Sequence, residues 1–363
     1  MLEESNLETK SSFQIGIFLQ NGRMNTPEFD MMGFGEVLLR LTPSGRGRIL
    51  GAEHFEREIG GAELNVAAGL AMLGLRTALI TSLPDSPIGQ FARNRIRFTG
   101  VSDDWVHFDQ SVEARLGLYL YEHGESPRKP MVIYDRKGSS FSRFQIENLK
   151  HSPIGRARLL HLTGITLGLG PEMRAQALHL VRAFHEAGGI VSFDVNYRAA
   201  LWSESDAREC LKEILPLTNF LFVSEETARR LLERTGDLQS IQQSFAKEFG
   251  CEFVATTRRT VESPTRHSWD SLVYDAKTDQ FHSEEPYRSI EVVDRIGSGD
   301  AFVAGALYGL LAGNGAADAV SYGNALAAIK CTLHGDMVLS NRREILSVIR
   351  QHQAFGQGDE MSR

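Results

Sequence analysis

The sequence predicts an α/β fold in which a mostly parallel central sheet is flanked by helices and accompanied by a second, smaller sheet. Three observations lead to this prediction. After residue 150, strand-like and helix-like segments alternate and are joined by short loops, which is typical of a parallel sheet covered on both faces. Two β-rich stretches, at about 37–59 and 112–138, do not follow that alternation and are expected to pair as a separate sheet. The chain has 363 residues, of which 42% are hydrophobic, so it can bury a large core.

The first half of the chain supplies elements of both sheets. Residues 1–29 are polar apart from FQIGIFLQ, and we expect them to be a poorly ordered extension. A strand is predicted at Asp30–Leu41, and GGAELNVAAGLAMLG is a glycine turn that opens a helix ending at Gly74. RTALITSLP is a predicted strand, and IGQFARNRIRFTG is a predicted helix. RLGLYLYEHG and KPMVIYDRKG are predicted to be antiparallel strands around a polar turn.

The second half carries the alternating segments. The predicted strands and helices are, in order, ARLLHLTGI, EMRAQALHLVRAFHEAGG, IVSFDVN, ESDARECLKEIL, NFLFVS and EETARRLLERTG. A further strand, YRSIEVV, is followed by a helical run, AFVAGALYGLLAG. One main domain is predicted over residues 30–350, and residues 351–363 are predicted to be a tail.

Charge and composition exclude several classes of protein. The formal net charge is -7 and the pI is about 5.9, which argues against non-specific binding of nucleic acid. No apolar run is long enough to span a membrane, and the polar, acidic MLEESNLETK is not a signal peptide. Cys210, Cys251 and Cys331 are isolated, as expected for reduced thiols, and the histidines lack the spacing of a metal site. These features predict a cytoplasmic protein.

Polar and glycine residues follow several of the predicted strands. Open α/β sheets bind ligands beyond the carboxyl ends of their strands, so these residues are expected to line one edge of the sheet. They are Gly60, Gly61 and Asn65; Asp194, Asn196, Tyr197 and Arg198; Ser224, Glu225 and Glu226; and Gly297–Asp300.

The segment DRIGSGDAF, at Asp294–Phe302, lies where a strand turns into a helix. One interpretation is a tight turn in which an acid caps the helix, since Asp is a favoured N-cap and Gly is common in turns. The other is an anion cradle, because glycines let backbone N–H groups converge at the positive end of a helix. Neither the dinucleotide fingerprint GxGxxG nor a Walker motif occurs, so a phosphate site here would be of another type.

Two motifs together resemble the ribokinase-like (PfkB-type) carbohydrate kinases. DRIGSGDAFVAGALYGLL is similar to the family's D-T-x-G-A-G-D-x-F signature, and GGAELNVAAGLAMLG is similar to its G-G-x-x-x-N-x-A signature. The motifs stand in the family's order, and the resemblance covers roughly residues 30–350. Within the family, FGEVLLRLTPSG, YDRKGS, FDVNYRAALW and VDRIGSGDAF are most similar to 2-keto-3-deoxygluconate kinases.

The resemblance implies a ribokinase-like fold, a lid formed by the small sheet, and ATP-dependent phosphorylation of a sugar-acid hydroxyl. By match to the motif, Asp300 is the general base, and the backbone of Gly297, Ser298 and Gly299 is the anion hole for the γ-phosphate. The residues that match the family's sugar-binding positions are Gly61, Asn65, Tyr119, Tyr134, Arg136 and Arg198. A sugar acid carries a carboxylate, which an arginine can hold through two hydrogen bonds, although a surface ion pair is the commoner role of a single arginine.

The nucleotide and metal side departs from the family pattern. Where the family has N-x-x-E, this chain has Ser224-Glu225-Glu226-Thr227, so Mg²⁺ would be held by Glu225 or Glu226 through water, or the segment is simply a helix N-cap. The usual K-x-G-x-x-G loop is replaced by a glycine-free segment, predicted to be a loop at 258–271. The residues predicted to contact ATP are Ser224, Thr257, Arg258, Gly297, Gly299, Asn324 and Asp336.

Three functional hypotheses follow from this resemblance. The first is a kinase that converts 2-keto-3-deoxygluconate to 2-keto-3-deoxy-6-phosphogluconate with ATP and Mg²⁺. The second is another kinase of the same fold, such as a fructokinase, in which the arginines are structural. The third is a catalytically weak homologue that binds sugar or nucleotide. Expected partners are a sugar acid and ATP rather than nucleic acid or membrane, and edge strands of the lid predict a homo-oligomer.

Overall fold

The structure, a computed structural model, describes residues 19–20, 23–24 and 27–355. Its strands are β1 Leu19–Gln20, β2 Arg23–Met24, β3 Phe29–Phe34, β4 Leu38–Pro43, β5 Phe55–Gly60, β6 Thr77–Pro84, β7 Val106–Asp109, β8 Gly117–Glu122, β9 Met131–Asp135, β10 Ala157–Thr163, β11 Ile190–Asp194, β12 Phe220–Phe222, β13 Phe253–Ser263, β14 Arg266–Asp275, β15 Gln280–His282 and β16 Tyr287–Glu291. Its helices are α1 Ala62–Met72, α2 Pro87–Phe98, α3 Gly164–Leu167, α4 Pro171–Glu186, α5 Glu204–Ile214, α6 Glu225–Arg230, α7 Leu238–Phe249, α8 Ser298–Ala312, α9 Ala316–Cys331 and α10 Arg342–Phe355.

The central sheet confirms the predicted parallel architecture. Its strand order is β15-β14-β13-β12-β11-β10-β3-β6-β7, and β16 pairs with β14. All pairs from β7 to β13 are parallel, and the strands beyond β13 are antiparallel. Helices cover both faces and enclose two separate apolar clusters, which is why strands such as β6 are buried along their whole length.

The small sheet is the predicted lid. It has four strands in the order β5-β4-β8-β9, contributed by the two β-rich segments. The single strand predicted at Asp30–Leu41 is wrong, because the chain leaves the central sheet after β3 and enters the lid as β4. Gly35 lies at this crossover, where a Cβ atom would come within 2.1 Å of a carboxylate oxygen of Glu63. Strand β9 forms an edge of the lid with exposed Met131 and Ile133, and pairing of two lids stays a prediction.

The predicted nucleotide loop at 258–271 is also wrong, because these residues form an antiparallel hairpin. Strands β13 and β14 pair from Phe253↔Asp275 to Ser263↔Arg266. On β14, alternate residues from His267 to Val273 are buried, as expected for a strand with one face on the core. A stretch without glycine and with this alternation is better suited to a strand than to a phosphate loop.

Two helix ends differ from the prediction. Helix α6 stops at Arg230 instead of continuing to Gly236, and the chain turns at Glu233, which has φ 54°. Helix α10 continues to Phe355, so the first residues of the predicted tail are helical. The predicted N-terminal extension lies almost entirely outside the described residues.

The three cysteines lie in the interior of the protein. Cys210, Cys251 and Cys331 are all buried and unpaired. Among the helices that the structure describes, none combines the length and the apolar character needed to cross a membrane.

Candidate active site

One cavity of about 800 Å³ lies at the carboxyl ends of the parallel strands, beneath the lid. It brings together almost every residue that the sequence predicted for the site. Those residues are Gly61, Asn65, Tyr119, Tyr134, Arg136, Arg198, Ser224, Glu225, Glu226, Thr257, Arg258, Gly297, Ser298, Gly299, Asp300 and Asp336. The juxtaposition follows from the topology, because parallel strands end at the same edge of a sheet.

Asn324 does not line this cavity, contrary to the expectation for an ATP contact. It is completely buried in α9, and its Nδ2 donates to Glu284 Oε1 at 2.9 Å. Glu284 lies between β15 and β16 and also accepts from Ser321 Oγ. In this structure the amide is therefore committed to a carboxylate.

The turn before α8 has the geometry of an anion cradle. Gly297 has φ 81°, and a Cβ atom there would lie 1.9 Å from the carbonyl oxygen of Asp336, so only glycine fits. No side chain caps the helix, and Ala301 N–H bonds back to Gly297 O at 2.8 Å. Ser298 N–H bonds to Arg295 O at 3.3 Å, whereas the N–H groups of Gly299 and Asp300 have no acceptor among the described residues and stay available to a ligand. The space beside Gly299 is open.

Asp300 is held in the first turn of α8 but does not cap it. Its Oδ2 accepts from Asn65 Nδ2 at 2.7 Å, and its other carboxylate oxygen has no hydrogen bond to a described residue. Asp300 lines the cavity. Burial raises the pKa of Asp300 to about 6, while the hydrogen bond from Asn65 and the charge of Arg198 act to lower it. A carboxylate with a pKa near 6 can accept a proton close to neutral pH.

Two further carboxyl groups that line the cavity, those of Asp194 and Glu63, also have raised pKa values. Burial and the charge of Asp300 raise the pKa of Asp194 to about 7. Burial likewise raises the pKa of Glu63 to about 7, although hydrogen bonds from Thr166 and Thr163 oppose that shift. Asp194 lines the cavity at the end of β11, so the floor of the site is rich in carboxyl groups that ionise near neutrality.

Two predicted lid residues already have partners in the protein. Arg136 donates from Nε to Glu36 Oε2 at 2.8 Å, and a second guanidinium nitrogen contacts the same oxygen. Tyr119 donates its hydroxyl to Asp336 Oδ2 at 2.5 Å. Tyr134, by contrast, is 48% exposed on the edge strand β9. Of the predicted sugar-binding side chains on the lid, Tyr134 is thus the most accessible.

Arg198 differs from Arg136 because its guanidinium is accessible. It follows β11 and is exposed, and its one hydrogen bond to a described residue is to the carbonyl oxygen of Tyr197, at 3.1 Å. Within the described residues it has no ion pair, although its charge acts on Asp194 and Asp300. Arg198 is therefore the better candidate for holding an anionic group of a ligand.

The segment that follows β12 begins a helix, as one of the two sequence interpretations expected. Ser224 Oγ accepts from Thr227 N at 3.1 Å and caps α6. Glu225 pairs with Arg229 at 2.7 Å, and Glu226 is exposed. All of these residues except Arg229 still line the cavity, so capping does not remove them from it.

Sequence reasoning missed three charged residues of this site. Glu36 is the buried partner of Arg136, and Arg259 and Arg295 line the cavity next to the cradle. One sequence signal was available for Arg295, which stands where the family signature usually has threonine. Glu36 could not be found from sequence spacing, because its partner is 100 residues away.

Comparison with known proteins agrees with this geometry. The family profile described as pfkB family carbohydrate kinase matches residues 32–342. A 2-dehydro-3-deoxygalactonokinase of Haloferax volcanii is 35% identical over 321 residues, which are 88% of this chain and 96% of that protein. A 2-dehydro-3-deoxygluconokinase of Bacillus subtilis is 28% identical over 333 residues, which are 91% of this chain and 98% of that protein.

A solved structure has the same fold over most of this chain. The crystal structure of a 2-dehydro-3-deoxygluconokinase from Thermotoga maritima superimposes with a TM-score of 0.84 at 30% identity, and the match covers 90% of this chain and 100% of that one. The fold is therefore ribokinase-like. The chain belongs to the pfkB family of carbohydrate kinases, which are phosphotransferases with an alcohol group as acceptor.

Proposed function

We propose that the enzyme transfers the γ-phosphoryl group of ATP to a hydroxyl group of a 2-keto-3-deoxy sugar acid. The first candidate is 2-keto-3-deoxygluconate, which would become 2-keto-3-deoxy-6-phosphogluconate. The observation that carries the proposal is the accessible guanidinium of Arg198, which shares the cavity with Asp300 and has no carboxylate partner among the described residues. Arginine binds a carboxylate through two parallel hydrogen bonds, so it suits a sugar acid.

In this proposal Asp300 is the general base. Its free carboxylate oxygen accepts the hydroxyl proton as the oxygen of the sugar attacks the γ-phosphorus, and ADP leaves. Asn65 fixes the other oxygen and so orients the carboxylate. The N–H groups at the start of α8 face the phosphate oxygens, where their positive potential offsets the charge that spreads over them.

The residues present are compatible with Mg²⁺ as well as ATP. Within the described part of the chain, no cluster of three or more His, Cys, Asp or Glu side chains could hold a metal alone. Mg²⁺ usually keeps several waters and is held by substrate phosphates and one or two carboxylates, which Glu225 and Glu226 at the cavity wall could supply. The ion would neutralise charge on the phosphates.

The acceptor should be identified with a substrate panel. Purified enzyme, ATP and Mg²⁺ would be incubated with 2-keto-3-deoxygluconate, its galacto epimer, fructose and ribose, and ADP release would be followed. We expect the two sugar acids to have the highest kcat/KM, and the relative from Haloferax volcanii makes the galacto epimer a direct competitor. The buried pairing of Arg136 with Glu36 favours the neutral-sugar alternative, and faster turnover of fructose would establish it. Ligand binding without ADP release would instead indicate a weak homologue.

Arg198→Lys is expected to raise the KM for the sugar acid about tenfold, because lysine cannot form the two parallel hydrogen bonds. The KM for ATP should stay the same. The control is Arg182→Lys, whose exposed arginine pairs with Glu213 at 2.6 Å and should leave both constants unchanged. An unchanged KM for the sugar acid in Arg198→Lys would exclude Arg198 as the carboxylate ligand.

The pH profile should report the ionisation of Asp300. A general base acts only when deprotonated, and burial raises the pKa of Asp300 to about 6. We therefore expect kcat/KM to rise about tenfold per pH unit below pH 6 and to level off above it. Asn65→Ala removes a hydrogen bond that lowers this pKa, so the acid limb should move to higher pH. A profile flat down to pH 5, or a shift in the opposite direction, would contradict the assignment.

A further inference from the structure

Two arginines that have no assigned role, Arg259 and Arg295, line the same cavity and lie close enough for their charges to interact. Arg259 lies on β13, on the same face as Thr257, and its register partner on β14 is Trp269. Arg295 belongs to the turn that leads into Gly297. Both arginines line the cavity, together with Thr257, and the charge of Arg295 acts on Arg259.

Several other arginines around the cavity have a carboxylate partner, whereas Arg259 and Arg295 have none among the described residues. Arg40, Arg136 and Arg258 contact Asp336, Glu36 and Asp270, respectively. In the part of the chain that the structure describes, no carboxylate lies within ion-pairing distance of Arg259 or Arg295. The Nε of Arg295 is buried and has no hydrogen-bond acceptor, although Tyr121 contacts another part of the guanidinium. Positive charge and unused donors therefore converge here.

The neighbouring groups show how strongly positive this position is. Desolvation, and then the charge of Arg295, lower the pKa of Arg259. Desolvation, Arg259 and Arg295 together lower the pKa of the buried His267 to about 4, so its imidazole is neutral. Glu262 is the acid that acts on His267, but it is bonded to Ser268 and Ser289 at the surface. An anion from outside the chain would be strongly favoured between the two arginines.

We infer that Arg259 and Arg295 bind the phosphate groups of the donor nucleotide that flank the transferred one. This inference rests on the proposed function, and it deepens it by assigning the donor contacts that a glycine-rich loop would otherwise make. Arginine suits phosphate because its planar fork donates two parallel hydrogen bonds. Arg295 stands two positions before Gly297, and Arg259 lies on the hairpin. A polyphosphate whose end lies in the cradle and that runs towards the hairpin would therefore contact both arginines.

The position of the pair favours the donor over the carboxylate of the acceptor. The acceptor candidate Arg198 follows β11, whereas Arg259 is on β13, and β12 lies between these strands. Two strand spacings correspond to about 10 Å, which is more than a single carboxylate can bridge. A polyphosphate that runs from the cradle towards the hairpin meets Arg259 and Arg295 and leaves Arg198 to the sugar acid.

The test is calorimetric binding of ADP, adenosine and inorganic tripolyphosphate to the wild type, Arg259→Gln, Arg295→Gln and the double variant. We expect each single change to raise the Kd for ADP and for tripolyphosphate about tenfold, the usual effect of losing a hydrogen bond to a charged group. The Kd for adenosine should not change, because it has no phosphate. Arg266→Gln is the matched control: Arg266 is on the same hairpin but does not line the cavity, so its Kd values should equal those of the wild type.

Two results would overturn the assignment. One is an unchanged Kd for ADP in the double variant, and the other is an equal loss of ADP and adenosine affinity, which would indicate a structural role. Arg259→Gln keeps the test valid if Arg295→Gln unfolds, since Arg259 is exposed. If the wild type binds tripolyphosphate through the pair but phosphorylates no sugar acid, the proposed acceptor fails and the arginine assignment stands. If it phosphorylates a sugar acid and the double variant still binds ADP normally, only the arginine assignment fails.

Discussion

Asp300→Asn is expected to lower kcat by about 100-fold or more, while the KM values for both substrates change little. Asparagine is nearly the same size as aspartate, and its side-chain oxygen can still accept from Asn65, so the geometry at the start of α8 should survive. The amide cannot take up the hydroxyl proton, however. The effect therefore falls on the chemical step, where positioning and electrostatic stabilisation remain but the base is absent.

The measurement is steady-state kinetics with ATP and the preferred sugar acid, combined with calorimetric binding of each substrate. Asp237→Asn is the matched control, because Asp237 also lies at a helix N-terminus and accepts from Ser240 N at 2.8 Å. Asparagine caps helices about as well as aspartate, so this variant should retain wild-type kcat. A kcat for Asp300→Asn within a few-fold of the wild type would remove Asp300 from the base role.

Arg40→Met is expected to lower the free energy of unfolding by about 3–5 kcal/mol, because it leaves buried carboxylates without their partner. Arg40 is only 2% exposed and extends from the lid strand β4. Its guanidinium contacts Asp294 Oδ2 at 2.5 Å and Asp336 Oδ1 at 2.8 Å, and it stacks over the ring of Tyr121. Burial opposes the charge of Arg40, but Asp336 and Asp294 outweigh it and raise the pKa of the guanidinium.

The remaining cation in this cluster cannot replace Arg40. Lys330 is fully buried, and its Nζ donates to the carbonyl oxygens of Asp294 and Leu333 at 3.2 and 3.1 Å. It is therefore already held by the backbone, and desolvation lowers its pKa. Both carboxylates of the cluster would thus depend on a single, poorly placed charge after the substitution.

Urea unfolding should show a lower midpoint with an unchanged m-value. The control is Arg182→Met, which removes an exposed ion pair with Glu213. It should lower the free energy of unfolding by less than about 1 kcal/mol. In the double variant Arg40→Met/Asp336→Asn, the free energy of unfolding should fall by less than the sum of the decreases in the two single variants. The reason is that the second substitution removes one of the unpaired charges. If Arg40→Met and Arg182→Met lowered the free energy of unfolding equally, the buried cluster would contribute no more to stability than a surface ion pair.

The two sheets of the protein could be predicted because their strands and helices have recognisable local sequence patterns. Alternating strands and helices predicted the parallel sheet, and two β-rich segments predicted the lid. The turn at Gly297 was predictable for the same reason, since glycine and a following helix define a phosphate-binding geometry within a few residues. Errors arose where a local pattern admits two structures: Asp30–Leu41 proved to be two strands in different sheets, and residues 258–271 proved to be a hairpin.

The sequence by itself therefore determined the fold and the position of Asp300 and of the glycine turn that precedes it. Only the tertiary structure decided which charged residues are free to bind ligands. Arg136 and Arg198 are indistinguishable as residue types, yet Arg136 is paired with Glu36 and Arg198 has no carboxylate partner among the described residues. Arg40 is held by Asp336, which is 296 residues away along the chain. Ion pairing depends on distance in space and on burial, and neither is contained in the spacing of residues along a sequence.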